Sequence, residues 1–169
     1  MSIDPGKGLG HATWDNERFK KLVAPVDHGV FLPSGRREAQ SSVDAYIYGI
    51  EETTNELARL LKTREYTRAF IEWPMFFDSD FGHEVARGGD LVKLCAATGM
   101  IIRTCASAGC KVTTVPVNTW KGQMDKDATQ HRVEKRLFKI GETGKVVAAA
   151  MESHDIDAIG IGFWAKGFF

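Results

Sequence analysis

The sequence predicts an α/β fold: a mixed five-stranded sheet, its first three strands antiparallel, flanked by helices. Three observations carry this expectation. Short β-type segments separated by turn residues open the chain, strand-like and helix-like apolar patterns then alternate, and the last third is helical. Short turns join antiparallel neighbours, whereas parallel strands need a crossover, usually a helix.

Residues 1–4 form the first β-type segment, and a turn rich in glycine (Pro5, Gly6, Gly8, Gly10) leads to the second, 11–14. Asp15-Asn16 is a turn signal before a third segment over 19–26, and 28–41 reads as a Gly/Pro/Ser/Arg-rich loop. From Ser42, a plausible N-cap, apolar residues fall at Val43, Ile47, Ile50, Leu57 and Leu61, one face of an amphipathic helix. The aromatic and β-branched run 67–73 predicts a buried strand stopped by Pro74. A buried helix over 91–102 follows, then a strand over 111–117. A basic helix over 127–138 has Val133, Leu137 and Phe138 inside, and two more helices span 145–151 and 156–164.

A chain of 169 residues with no internal repeat or linker is expected to be one domain, 1–169. Hydrophobic residues at 43% and charged residues at 26% exclude a disordered chain. No apolar run approaches the ~20 residues needed to cross a bilayer, and the opening MSIDPGKGLG lacks a signal-peptide pattern. Cys95, Cys105 and Cys110 make no CxxC and read as buried thiols of a reducing compartment. The expectation is a cytoplasmic protein.

Lysine plus arginine and aspartate plus glutamate balance at 22 each, so composition alone points to no nucleic acid. The distribution is uneven. Basic residues gather in 18–37 and 118–145, while 72–90 holds Glu72, Asp78, Asp80, Glu84 and Asp90 against Arg87 alone. Solvated faces explain most of these. A protein gripping phosphates around an acidic metal site would show the same segregation.

Two carboxylates stand at strand ends, Asp4 before Pro5-Gly6 and Glu72 before Trp73-Pro74. A charge taken out of water is costly unless paired or metal-bound. A turn-capping role for Asp4 and a salt bridge for Glu72 are about equally good readings. Ser153-His154-Asp155-Ile156-Asp157 opens the last helix, where acids suit the helix dipole. His154 and Asp157 are three apart and share a face, which leaves Asp155 as a cap or supporting group. Carboxylates on two strands and a helix, with no thiolate, suit magnesium completed by substrate phosphate. Two such ions about 4 Å apart would stabilise attacking and leaving oxygens of a phosphodiester.

Ile3-Asp4-Pro5-Gly6, the glycine-rich hairpin, Ile71-Glu72 at a strand end and His154-x-x-Asp157-Ala158 together resemble the RuvC family of Holliday junction resolvases. These are RNase H-like nucleases. Pro116-Val117-Asn118-Thr119-Trp120-Lys121-Gly122, then Lys126 and the basic helix, resemble that family's DNA-binding lysine segment. The match runs in order over nearly the whole chain, and its short form looks like a bacteriophage-type member (hence a host cytoplasm).

The resemblance implies a magnesium-dependent homodimer, manganese substituting, that nicks four-way DNA junctions in pairs and leaves 5′-phosphate and 3′-hydroxyl ends. It implies Asp4, Glu72 and Asp157 as metal-binding carboxylates. His154, where many members have aspartate and some histidine, would be a metal ligand or an acid/base group. Lys121, Lys126 and Arg132 would meet DNA phosphate, Trp73 and Phe76 would wedge into unstacked bases, and Asp155 would support the site. Branched-DNA, flap or RNA–DNA hybrid cleavage stays open, as does a non-catalytic junction-binding module. Actin-like kinases and ATPases share the fold core but need a much longer chain.

Overall fold

Alternation along the first strand divides the molecule into two sides. In β1 (Ser2–Pro5), Ile3 joins an apolar cluster with Leu9, Ala69 and Ile71. Ser2 faces the other way and its Oγ donates to the Ala158 carbonyl at 2.6 Å. The structure is a computed structural model that describes residues 1–6, 8–15, 20–34, 42–75 and 89–169.

β2 (Leu9–Thr13) pairs antiparallel with β1, and β3 (Asp27–Phe31) antiparallel with β2. β4 (Arg68–Trp73) and β5 (Lys111–Pro116) add in parallel, giving the order β3-β2-β1-β4-β5. The mixed five-stranded sheet expected from the sequence is therefore present, its first three strands antiparallel.

The third strand comes later than expected. Residues 22–25 are irregular, 16–19 and 35–41 lie outside the described residues, and β3 occupies the start of the stretch read as a loop. Pro25 has no N–H to give a ladder, which disqualifies the earlier run as a paired strand. Leu22 and Ala24 instead pack among Ala12, Val133 and Phe163.

α1 (Ser42–Thr63) and α2 (Asp90–Ser107) cover the Ile3 face, burying Leu57, Leu61, Ile101 and Cys105. A single turn, α3 (Val117–Trp120), follows β5. On the Ser2 face, α4 (Lys126–Ile140) and α5 (Glu142–Ala150) stack outside α6 (Ser153–Ala165), with Val133, Leu137, Val147, Ile159 and Phe163 between them. Several side chains are more exposed than their pattern suggests, among them Ile47 on α1, and Val92 and Met100 in the run 91–102 expected to be buried. Phe138 is 54% exposed because it lies about 100° round α4 from buried Leu137, Val43 at the start of α1 is 56% exposed, and Cys95 is exposed on α2. Among the described residues no helix is long and apolar enough to cross a membrane.

α6 reaches the sheet closely because both surfaces are small there. Ser2, Gly10 and Ala12 face it, and a Cβ on Gly10 would run into the His154 carbonyl. On the helix, a Cβ on Gly162 would strike the Trp14 ring and come 2.9 Å from Ser2 Oγ. Backbone cannot rotate out of the way as a side-chain tip can. Gly10→Ala is therefore expected to cost about 3 kcal/mol, a fall of roughly 10 °C in melting temperature. Thermal denaturation checks this, and an unchanged midpoint would show that the helix has room to shift.

Candidate active site

β1 and β4 pair Ser2 with Phe70 and Ile3 with Ile71, so the next step along both brings Asp4 abreast of Glu72. Ile3 and Ile71 occupy the α1–α2 side, and alternation turns both carboxylates toward α6. α6 contributes His154 and Asp157 from its first turns, as the i, i+3 spacing requires. His154 Nδ1 lies 3.7 Å from Asp4 Oδ2. Lys121, just after α3, places Nζ 3.3 Å from both Asp157 oxygens. Trp120 donates from Nε1 to Glu72 Oε2 at 2.9 Å. The four residues expected from the sequence at one site, Asp4, Glu72, His154 and Asp157, are thus brought together, with Lys121 among them.

Crowding of acids in a desolvated place has the usual electrostatic result. Burial pushes the Asp4 carboxyl up, and Asp157 adds to this, while the His154 hydrogen bond opposes it. Glu72 is pushed up to about 8, first by burial and then by Asp4 and Asp157. His154 is raised, chiefly by its bond to Asp4. The shared cause is negative charge held away from water with too little positive charge nearby.

Among the described residues, no group of three or more His, Cys, Asp or Glu side chains is assembled as a ready metal cage. The carboxylates are instead each drawn to a separate partner: Asp4 to His154, Glu72 to Trp120 and Asp157 to Lys121. In kind, the donor set still fits a hard divalent cation. Oxygen donors from three elements surround a region whose raised carboxyls mark unrelieved negative charge, and magnesium takes one or two carboxylates with water and phosphate completing its shell.

The other expected residues are placed differently. Asp155 is 1% exposed and serves as a cap: its Oδ1 accepts from the Glu152 N–H at 2.6 Å, and His28 Nδ1 lies 2.8 Å from its Oδ2. Trp73 is 41% exposed at the end of β4, and alternation sets it on the face opposite Glu72. Phe76 lies outside the described residues. Lys126 is exposed at the start of α4, near enough for its charge to act on His154. Arg132 is committed to packing, its guanidinium 4.7 Å over the Phe169 ring and Nη1 3.6 Å from Met124 Sδ.

The sequence gives Trp120 and Gly6 a place in motifs but no role of their own at the site, and it does not single out His28. A Cβ at Gly6 would lie 2.8 Å from His154 Nδ1, so glycine there leaves room for the imidazole. The signal for Gly6 was in the turn. Nothing local pointed to His28, which meets Asp155 across 127 residues of chain.

Glu72 couples the site to stability. The folded state holds its proton more tightly than the unfolded chain, so the stability this gives is complete below pH 4.5 and is lost as pH rises through about 8. Glu72→Gln keeps an acceptor for the Trp120 N–H but has no charge to bury. Without divalent ions, this variant is expected to melt roughly 5–10 °C above the wild type at pH 8 and level with it near pH 4.5. Added magnesium or manganese is expected to stabilise the wild type more than the variant, which keeps Asp4 and Asp157 and binds the ion more weakly. Thermal melts across pH, with and without metal, check both.

The fold is similar to that of solved RuvC structures. Thermus thermophilus RuvC in complex with a Holliday junction substrate matches with a TM-score of 0.60 and 20% identity, over 98% of this chain and 94% of that one. A second Thermus thermophilus RuvC structure matches with a TM-score of 0.56 and 16% identity, over 98% of this chain and 95% of that one. No protein-family model and no curated protein sequence matches the chain. With its sheet order β3-β2-β1-β4-β5, the chain has the RNase H-like fold of RuvC.

Proposed function

We propose that this protein is a metal-dependent endodeoxyribonuclease that resolves four-way DNA junctions, cutting phosphodiesters to leave 5′-phosphate and 3′-hydroxyl ends. The observation that carries the reading is the convergence of Asp4, Glu72 and Asp157 from three elements, faced by Lys121, on a fold shared with a junction-bound RuvC. Asp4, Glu72 and Asp157 hold the cation. Magnesium, with manganese as substitute and two ions per site, supplies Lewis acidity to the phosphodiester.

Lys121 provides positive charge beside Asp157, where a phosphate oxygen gains charge in the transition state. Lys126, exposed at the head of α4, meets the DNA backbone and positions it without reading sequence. Exposed Trp73 offers a stacking face for an unpaired base at the crossover; Phe76 has the same assignment from the resemblance, and Arg132 contributes positive charge from its place against Phe169. A junction has two equivalent strands to cut, so the active form is a two-fold dimer.

The test is cleavage of a synthetic four-way junction beside linear duplex, flap and RNA–DNA hybrid. Symmetric nicks on the junction in magnesium are expected, and Asp4→Asn is expected to reduce them by at least about 10³-fold while junction binding persists. Flap or hybrid cleavage would move the substrate and keep the site. Binding without cleavage in either metal would leave a non-catalytic junction-binding module.

His154 has two roles to separate. As a ligand it is replaceable by a carboxylate, so His154→Asp would keep cleavage that His154→Ala loses. As a proton donor or acceptor it sets the pH dependence, so His154→Asp would shift the pH–rate profile while His154→Ala falls by about 10²–10⁴-fold. Single-turnover rates of the two variants across pH decide between them.

A further inference from the structure

We infer that Trp120 is a positioning residue that fixes Glu72 for cation binding, an assignment that rests on the metal-site reading of Glu72. Trp120 is 3% exposed, and its indole N–H can only donate. Buried indoles need an acceptor, and the one Trp120 has is Glu72 Oε2, 2.9 Å away. The ring is held on several sides. Val115 and Ile161 pack with it, the Phe169 ring lies 5.4 Å away at 55°, and a Cβ on Gly160 would come 2.6 Å from its Cζ3. A donor so enclosed has one place to point.

The hydrogen bond orients the carboxylate. Tying Oε2 sets the plane of the group at the end of β4 and leaves Oε1 for a ligand. The neighbouring residue does the equivalent for Asp157, because Lys121 Nζ sits 3.3 Å from both its oxygens. Two consecutive side chains leaving one helical turn therefore hold two carboxylates that belong to different elements, β4 and α6. Lys121 Nζ also lies 5.5 Å from the Trp120 ring centroid, so the two holding groups support each other. A tryptophan serving as core filler alone would need no acceptor on the functional carboxylate.

The experiment replaces Trp120 with β-(3-benzothienyl)alanine, which matches the indole in shape and lacks the N–H, and in parallel makes Trp120→Phe. Manganese affinity is measured from the metal-dependent rise in melting temperature, and junction cleavage is followed as a function of manganese concentration. The expected result is a 10–100-fold loss of manganese affinity in both variants. In the isosteric one, the metal-free melting temperature falls only by about the few degrees that one lost hydrogen bond costs. In a Glu72→Gln background the same replacements should change manganese affinity no further, because their effect runs through that carboxylate.

Unchanged manganese affinity in the isosteric variant would overturn the assignment while leaving the metal site standing. An equal loss with and without Glu72 would also overturn it, since Trp120 would then act by another route. A wild type with no response to manganese or magnesium would overturn both this inference and the metal-site reading beneath it.

Discussion

The structure depends on how closely α6 lies against β1 and β2. Ser2, Gly10 and Ala12 leave a shallow surface on the sheet, and Ala158 and Gly162 leave a matching one on the helix. The Ser2 hydroxyl closes the contact with a 2.6 Å bond to the Ala158 carbonyl. That approach carries His154 to within 3.7 Å of Asp4 and sets Asp157 in the same field. It also desolvates Asp4. The packing that assembles the site and the cost of holding its charges are one constraint.

Closeness alone would let the helix turn about its axis. Its start is fixed by Asp155, which accepts from the Glu152 N–H with one oxygen and meets His28 of β3 with the other. Acids in the first turn of a helix are favoured by the exposed N–H groups, and here one of them is also paired to the sheet. Asp155 thus locks the rotation that decides where its neighbours His154 and Asp157 point. The sheet is held at its far edge by a related contact, His11 of β2 stacked on Phe31 of β3 with ring centroids 4.5 Å apart.

What the sequence shows of the site is what local pattern can encode. Asp4 and Glu72 stand out because each ends an apolar run before a proline, and His154 with Asp157 because three residues separate them on a helix. The convergence of Asp4 with Glu72 follows from parallel pairing of β1 and β4, which the order of elements already implies. Turn-forming residues and Gly29 disguise the third strand, while Pro25 bars the apolar run before it from a ladder. The roles of Trp120 and His28 are illegible for a different reason. Their partners lie 48 and 127 residues away, and no spacing rule reaches that far. Trp73 shows an intermediate case: alternation with Ile71 gives its face, but only the packed structure shows that it stays exposed.

The separate partners of the carboxylates give the site its working logic. Asp4, Glu72 and Asp157 bring negative charge together, and a histidine, an indole N–H and an ammonium share its relief. Of the three, the indole is neutral and enclosed, so it can stay on Glu72 while other contacts change. Lys121 differs in kind, an ammonium on a flexible four-carbon stem. Under the proposed function, a divalent cation at Asp157 would take over that electrostatic role and leave the ammonium able to meet phosphate. The ammonium that neutralises Asp157 without substrate would thus be the group that meets it. A closed cage would hold the cation more firmly and leave Lys121 nothing to exchange.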